Sequence, residues 1–160
     1  MIREIKTYPN KVLKQKAKRV GRIDDEIKKL IDDMVETMYA KDGAGMAANQ
    51  VGELKQIAIV NAGEGALVLI NPKISNRKGR LIAAEGCLSL PGIELDIRRP
   101  EKILVKYLDE TGKEKKIKAS DLLARVICHE VDHLQGKTLL DRLPLLKRLT
   151  MKRKIKKLAK

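Results

Sequence analysis

The sequence predicts an α+β domain in which a mostly antiparallel sheet packs around a central helix. Apolar residues recur at helical spacing near the N-terminus, short β-type runs fill the middle of the chain, and helical segments return at the end. Strands and helices are grouped along the chain instead of alternating, which argues against a doubly wound sheet. A length of 160 residues is that of one ordinary domain.

An amphipathic N-terminal helix is predicted within residues 24–43. Its apolar residues fall three and four positions apart, which places them on one face: Ile27, Leu30, Ile31, Met34, Val35 and Met38. Asp24 is suited to cap the start of the helix, and Gly43 is suited to end it. We interpret the apolar stripe as core and not as a cofactor-binding surface.

Five short strands are predicted from Gln56 onward. Their sequences are QIAIV, ALVLI, IELDI, KILVKYL and KEKKIKA, and Gly, Pro and Asn occupy the turns between them. The sequence DETG at 109–112 separates the last two runs and predicts a hairpin, since it places turn residues between two β-type segments.

Two further helices complete the predicted fold. One begins at Ser120 or Asp121 and runs to about Gly136. A basic helix follows Pro144, and the apolar residues expected to be buried in it are Leu149, Ile155 and Leu158. We therefore divide the chain into a main domain, 1–141, and a basic C-terminal helix, 142–160, packed on or extending from the same domain.

The positive charge is concentrated in that last segment. Residues 142–160 contain nine Lys or Arg and no acidic residue, so this segment supplies +9 of the net +14. A basic surface attracts polyanions through counterion release, which favours a polyanionic partner. A solvated helix face is the alternative interpretation.

Composition indicates a cytoplasmic protein with no membrane partner. The first twenty residues contain no apolar run typical of a signal peptide, and apolar runs elsewhere, such as ALVLI, are only as long as a strand. In a reducing compartment, metal ligation or burial explains Cys87 and Cys128 better than a disulfide does.

The helix at 120–136 contains the only two histidines, in the sequence HEVDH at 129–133. Positions i and i+4 share a helix face, so His129 and His133 are placed to bind one ion, with Glu130 beside them to transfer a proton. Two surface histidines that bind nothing are the alternative.

A catalytic metal usually has three protein ligands and one open position. The chain has no third histidine, so the third ligand would be an acidic residue such as Asp141 or the thiolate of Cys87. Cys87 lies in EGCLSLP, a segment that we interpret as a fixed loop. Cys128 precedes His129 on the helix and points about 100° away from it, so we expect a buried thiol there and not a fourth ligand.

The sequence GAGMAANQ at 43–50 lacks both the third glycine of a dinucleotide loop and the Gly-Lys pair of a P-loop. Its glycines allow a backbone to approach a ligand closely, and the amide of Gln50 is suited to donate to a developing oxyanion.

Taken together, GAGMAANQ, EGCLSLP and HEVDH resemble, in order and spacing, the three signature motifs of the peptide deformylases. The similarity extends from YPNKVLKQKAKRV near the N-terminus to the last helix. It implies one divalent metal ion held by Cys87, His129 and His133. Fe(II) would be the ion in the cell, although Zn(II), Ni(II) and Co(II) also accept this ligand set.

The resemblance also implies roles for the surrounding residues. Glu130 would be the general acid and base, and Gln50 with the backbone N–H of Leu88 would stabilise the oxyanion. The walls that hold an extended peptide would include Ala44, Gly45 and Gly86. Two residues on the histidine helix are expected either to line a pocket for the methionine side chain or to lie in ordinary core: Leu122 and Val126.

The implied activity is removal of formate from the N-terminal formyl-methionine of nascent chains, with residues 1–141 as the catalytic domain. Formyl-methionyl peptides would be the substrates, and the basic helix 142–160 would contact the ribosome.

Three residues depart from those common in the family. Met46 stands where Leu or Ile is common, Asn49 where Pro is common, and Cys128 where Gln is common. Two alternatives stay open here: a nucleic-acid-binding protein with a structural zinc, and a protease built on the same helix motif.

Overall fold

The computed structural model describes residues 1–158, and it confirms the predicted α+β fold. The last two residues of the predicted basic segment 142–160 lie outside this range. The helices are α1 (Asp25–Ala40), α2 (Asp121–Leu134) and α3 (Leu145–Leu158). The strands are β1 (Gly45–Ala47), β2 (Ile57–Asn61), β3 (Ala66–Lys78), β4 (Leu81–Cys87), β5 (Leu90–Arg99), β6 (Lys102–Leu108) and β7 (Glu114–Ser120).

The strands form two antiparallel sheets. Five of them are arranged in the order β1-β2-β3-β6-β7, and β4 pairs with β5 in a separate two-stranded sheet. One face of the larger sheet packs against α1 through an aliphatic cluster that includes Met34, Ile59 and Ile70. The opposite face packs against α2 through a second cluster that includes Val105 and Ile127. The central helix is therefore fixed against the sheet along one side.

The predicted strands are present, but two strands were missed. The sequence KILVKYL coincides with β6, and the predicted turn at 109–112 joins β6 to β7, where the N–H of Gly112 donates to the carbonyl of Asp109 at 2.9 Å. The missed strands are β1 and β4. The interpretation of EGCLSLP as a loop is wrong, because β4 ends at Cys87 and β5 begins at Leu90.

The start of α1 agrees with the prediction, and its end does not. The carboxylate of Asp24 accepts from the N–H of Ile27 at 3.0 Å and caps the helix. The left-handed residue after the helix is Asp42, at φ 52°, and not Gly43. Asp tolerates this conformation better than most residues, so the chain turns one residue earlier than the glycine suggests.

The third helix packs on the body along a narrow stripe. Ile155 is 9% exposed and joins Met151 in a cluster with Leu140 and Leu143. The predicted burial of Leu149 and Leu158 is wrong, since these side chains are 47% and 78% exposed. Leu149 lies off the stripe formed by positions four residues apart, and Leu158 lies near the end of the helix.

Arg142 connects the start of the basic segment to α2. Its guanidinium donates to the carboxylate of Asp132, and the residue itself closes a short 3₁₀ helix, Leu139–Arg142. Within residues 1–158, no helix combines the length and the apolar content needed to cross a membrane.

Candidate active site

Three potential metal ligands converge where α2 faces the end of β4. One turn of α2 separates His129 from His133, and their Nε2 atoms lie 3.2 Å apart. The Sγ atom of Cys87 lies 3.3 Å from Nε2 of His133. All three ligand atoms lie within 4.8 Å of one another. The structure thus brings together the three residues that the family resemblance implies as metal ligands.

This donor set fits a divalent transition metal. Nδ1 of His129 lies 2.9 Å from Oε1 of Glu85, and a proton on Nδ1 leaves the lone pair of Nε2 directed at the cluster. A thiolate with two neutral imidazoles suits Fe(II) and Zn(II). Three protein ligands also leave room for a further ligand, as in catalytic sites.

Glu130 is buried beside the cluster. Burial raises the pKa of its carboxyl to about 7, although the charges of His129 and Arg99 act in the opposite direction. Its Oε2 atom is buried without a hydrogen-bond partner among the described residues. A carboxyl with a pKa near neutrality is suited both to accept and to donate a proton.

Gly45 holds the other side of this carboxyl. A Cβ atom added at Gly45 would lie 2.7 Å from Oε1 of Glu130 and 2.8 Å from Cγ1 of Val126. Because real Cβ atoms do not approach other atoms this closely, only glycine allows β1 to lie against Glu130 at this point.

The amide of Gln50 is fixed by hydrogen bonds on both sides. Its Oε1 atom accepts from the N–H of Ala47 at 2.8 Å. Its Nε2 atom therefore points the other way, where it lies 3.2 Å from Oγ of Ser89 and 3.6 Å from Sγ of Cys87. A donor held in this orientation can meet negative charge that develops next to the ligand cluster.

A cavity of about 430 Å³ opens in front of these groups. The predicted site residues in its wall are Ala44, Gly45, Gln50, Gly86, Cys87, Leu88, His129 and Glu130. Leu122 and Val126 line it as well, and Leu122 is 71% exposed, so it does not belong to ordinary core. The described cavity is large enough to take a side chain and a short stretch of extended backbone.

Sequence reasoning missed a charged network behind His129. Glu85 accepts from Arg99 at 2.9 Å and also from Arg125, so one buried carboxylate contacts two guanidinium groups and an imidazole. Arg99 also donates to Asp132. Metal-binding histidines commonly donate to a carboxylate, and the Glu two residues before Cys87 was the available signal.

Two other residues considered for ligation lie elsewhere. Cys128 is buried, burial raises the pKa of its thiol, and it is absent from the ligand cluster found among residues 1–158. Asp141 accepts from Nζ of Lys14 at 2.7 Å and from the N–H of Thr138 at 2.8 Å. Its carboxylate caps a short helix instead of approaching the histidines.

Comparison with known protein sequences points to a single family. The family model described as polypeptide deformylase matches residues 2–149. A peptide deformylase of Thermodesulfovibrio yellowstonii is 46% identical over 160 residues, which cover 97% of each chain. One of Thermoanaerobacter pseudethanolicus is 48% identical over 141 residues, covering 88% of this chain and 89% of the relative.

Solved structures show the same likeness. The crystal structure of a peptide deformylase from Legionella pneumophila has a TM-score of 0.93 at 38% identity, covering 99% of this chain and 96% of that chain. The Ehrlichia chaffeensis enzyme in complex with actinonin has a TM-score of 0.92 at 42% identity, with 98% and 96% covered. The chain therefore belongs to the peptide deformylase family, the metal-dependent hydrolases that remove the formyl group from the N-terminus of nascent polypeptides.

Proposed function

We propose that Cys87, His129 and His133 bind one divalent metal ion and that the chain uses this site to release formate from formyl-methionyl peptides. The convergence of one Sγ and two Nε2 atoms beside a cavity lined by Cys87 and His129 carries the proposal. Fe(II) is the ion proposed in the cell, and Zn(II), Ni(II) or Co(II) are accepted by the same ligands in purified protein. When bound, the metal supplies Lewis-acid activation of water and of the formyl carbonyl.

Glu130 is proposed to move the proton. Its carboxylate takes a proton from the attacking water and returns it to the amine that leaves with the peptide. A pKa of about 7, caused by burial, makes both steps accessible near neutral pH. Gly45 keeps the carboxyl in place, since its missing Cβ is what lets β1 approach Oε1.

Gln50 and the backbone N–H of Leu88 are proposed to stabilise the negative oxygen that forms as water attacks the formyl carbon. The bond between Oε1 of Gln50 and the N–H of Ala47 is made before substrate arrives, so Nε2 needs little reorganisation. Loss of one such donor typically lowers the turnover rate on the order of 100-fold to 1000-fold.

The peptide is proposed to lie extended between the walls formed by Ala44, Gly45 and Gly86. Leu122 and Val126, which line the same cavity, are suited to contact the methionine side chain. An exposed leucine at a cavity rim becomes buried when an apolar side chain enters, which favours methionine over a polar first residue.

The two cysteines provide a matched test of the ligand set. We expect Cys87→Ala to lose bound metal and formate release together, whereas Cys128→Ala should keep one metal per chain and retain turnover. Metal content is measured by atomic spectroscopy after anaerobic purification, and formate is measured with a formyl-Met peptide against its unformylated form. A Cys87→Ala protein with full metal content and normal turnover would contradict the assignment.

We further propose a cytoplasmic enzyme in which residues 1–141 are catalytic and the basic helix contacts the ribosome. Arg153, Lys154, Lys156 and Lys157 are exposed on α3, while Ile155 anchors the helix to the body. Replacing these four cations by Gln should weaken salt-sensitive cosedimentation with ribosomes and leave peptide turnover unchanged. Equal cosedimentation of both proteins would end this proposal.

A further inference from the structure

A cluster of lysines covers one face of strands β3, β6 and β7, on the opposite side of the sheet from α2. The register places Lys73 opposite Lys106, and Lys106 opposite Lys116, so three lysines form one row across three strands. Lys78 lies opposite Lys102. We call this surface the lysine face, and its members are Lys73, Lys78, Lys102, Lys106, Lys116 and Lys118.

Alternation along β6 fixes the direction of these side chains. Ile103 and Val105 point into the cluster beneath α2, so Lys102 and Lys106 point to the other face. Helix α1 covers the part of that face formed by β1, β2 and the start of β3. The six lysines share the remainder with Ser75, Leu104 and Glu114, and all six lysines are exposed.

The clustering of these lysines does not favour folding of the chain. Like charges directly opposite on neighbouring strands repel, and Lys106 has such a neighbour on both sides. Within residues 1–158, no carboxylate oxygen lies within 4.0 Å of any ammonium group of the lysine face. The nearby Lys115, on the opposite side of β7, does have a partner, Asp109, at 3.9 Å. The repulsion thus remains for an external anion to relieve.

The spacing of the lysines suits a chain of phosphates. Neighbouring strands lie about 4.8 Å apart, so the row from Lys73 to Lys116 spans roughly 10 Å. Lys102 and Lys106, four residues apart on one strand, are separated by about 14 Å at ~3.4 Å per residue. A groove of about 510 Å³ runs beside the row, and Arg19 adds a further cation to its wall, where Glu114 is the acidic member.

The absence of exposed apolar groups narrows the class of anion. None of the large hydrophobic side chains exposed in residues 1–158 lies on the lysine face, whereas a membrane-binding surface usually adds apolar anchors to its cations. Tyr107 lines the groove beside the row, but it packs toward α2 and is only partly exposed, and the exposed ring of Tyr39 lies on α1. Among the described residues, the lysine face therefore has no exposed aromatic ring on which bases could stack. With membrane anchoring and base stacking set aside, contacts with a phosphate backbone are the kind of interaction that this face favours.

We propose that the lysine face binds the phosphate backbone of double-stranded RNA, independently of base sequence. The choice of RNA rests on the proposed function, in which the enzyme contacts the ribosome. This surface is separate from the basic helix α3, and it would give the enzyme a second electrostatic contact with an RNA-rich particle.

The substitution Lys106→Glu distinguishes an effect on RNA binding from an effect on the stability of the fold. The substitution turns two repulsive cross-strand pairs into attractive ones, so the Tm should rise while affinity for RNA falls. Lys16→Glu is the matched control, because Lys16 is also exposed, carries the same charge and lies outside the sheet. Binding is measured by fluorescence anisotropy with a labelled 20-base-pair RNA duplex, using the full chain.

The salt dependence of RNA affinity measures the number of contacts between lysines and phosphates. Replacing Lys73, Lys106 and Lys116 by Gln should lower the slope of log K against log salt by roughly three, since each phosphate contact contributes about one. Turnover of a short formyl-Met peptide should stay unchanged in every variant, which distinguishes this proposal from the proposed function. Unchanged RNA affinity in Lys106→Glu, or an equal loss in Lys16→Glu, would overturn the proposal. Binding to anionic lipid vesicles without binding to the duplex would also overturn it.

Discussion

Nδ1 of His129 lies 2.9 Å from Oε1 of Glu85, and Glu85 stands two residues before Cys87 on the same strand. One strand therefore supplies both a proposed metal ligand and the carboxylate that orients a second ligand across the site. Because Arg99 and Arg125 both donate to Glu85, the carboxylate is held from three sides. The position of β4 relative to α2 is thereby linked to the geometry of the metal site.

Glu85→Gln should weaken metal binding. The amide keeps the size of the side chain, but it accepts from Nδ1 of His129 less strongly and leaves the two guanidinium groups without their charge partner. Loss of such a partner typically lowers metal affinity about 10-fold to 100-fold. Competition with a chelator measures the affinity, and Glu94→Gln, exposed on the neighbouring strand, is the control. An unchanged affinity in Glu85→Gln would show that Glu85 does not orient His129.

Asp132→Asn should destabilise the fold in a pH-dependent way. Burial acts to raise the pKa of Asp132, but hydrogen bonds and charges of Arg142 and Arg99 outweigh it and hold the pKa below its ordinary value of 3.8. A lowered pKa means that the charged group stabilises the fold fully above pH 3.8 and loses this effect as the pH falls through the folded-state pKa.

Urea denaturation at several pH values measures this difference. At neutral pH we expect Asp132→Asn to lower the free energy of unfolding by about 3 kcal/mol, the lower end of the range for breaking a buried ion pair. The gap between the two proteins should shrink as the pH is lowered below 4. A gap that stays constant from pH 7 to pH 3 would show that the charge of Asp132 is not the cause.

Gly45→Ala should impair turnover without removing the metal. The added Cβ would meet Oε1 of Glu130 at 2.7 Å, so the carboxyl must move away from its position. A misplacement of a catalytic group by about 1 Å typically lowers the rate on the order of 100-fold. Gly21→Ala is the control, because no atom lies within 4 Å of a Cβ built there. Normal formate release by Gly45→Ala would mean that the position of Glu130 is not critical.

Much of the fold could be predicted from periodicity. Helix α1 and strand β6 bury regular apolar patterns, so their sequences identify them directly. Strand β4, LIAAEGC, has no alternation, and its glycine and small residues resemble a loop. Its strand conformation comes from pairing with β5, a contact that a local pattern does not encode.

The burial predicted for Leu149 and Leu158 on α3 was wrong for a related reason. Apolar residues on a strongly basic helix do not show which of them meets the body. Leu149 and Ile155 are equivalent in sequence terms, yet the docking of α3 on Leu140 and Leu143 buries only Ile155 of the two.

The two histidine ligands and the proton carrier were accessible from sequence because a helix fixes the spacing of His129, Glu130 and His133. The third proposed ligand, Cys87, was selected over an acidic residue only by the family resemblance. The charged network behind His129 could not be predicted from the sequence. Glu85 and Arg99 lie 14 residues apart on different strands, and Asp132 lies 33 residues further along the chain from Arg99. Only the folded β4-β5 hairpin, packed against α2, brings these charges together.

Glu130→Gln tests the proposed chemistry most directly. The amide is close in size to the carboxyl but cannot accept the proton of water, so one metal per chain should remain while formate release from a formyl-Met peptide falls about 100-fold to 10,000-fold. Metal content and formate are measured on the same preparation. Near-normal turnover with the metal in place would contradict the role assigned to Glu130.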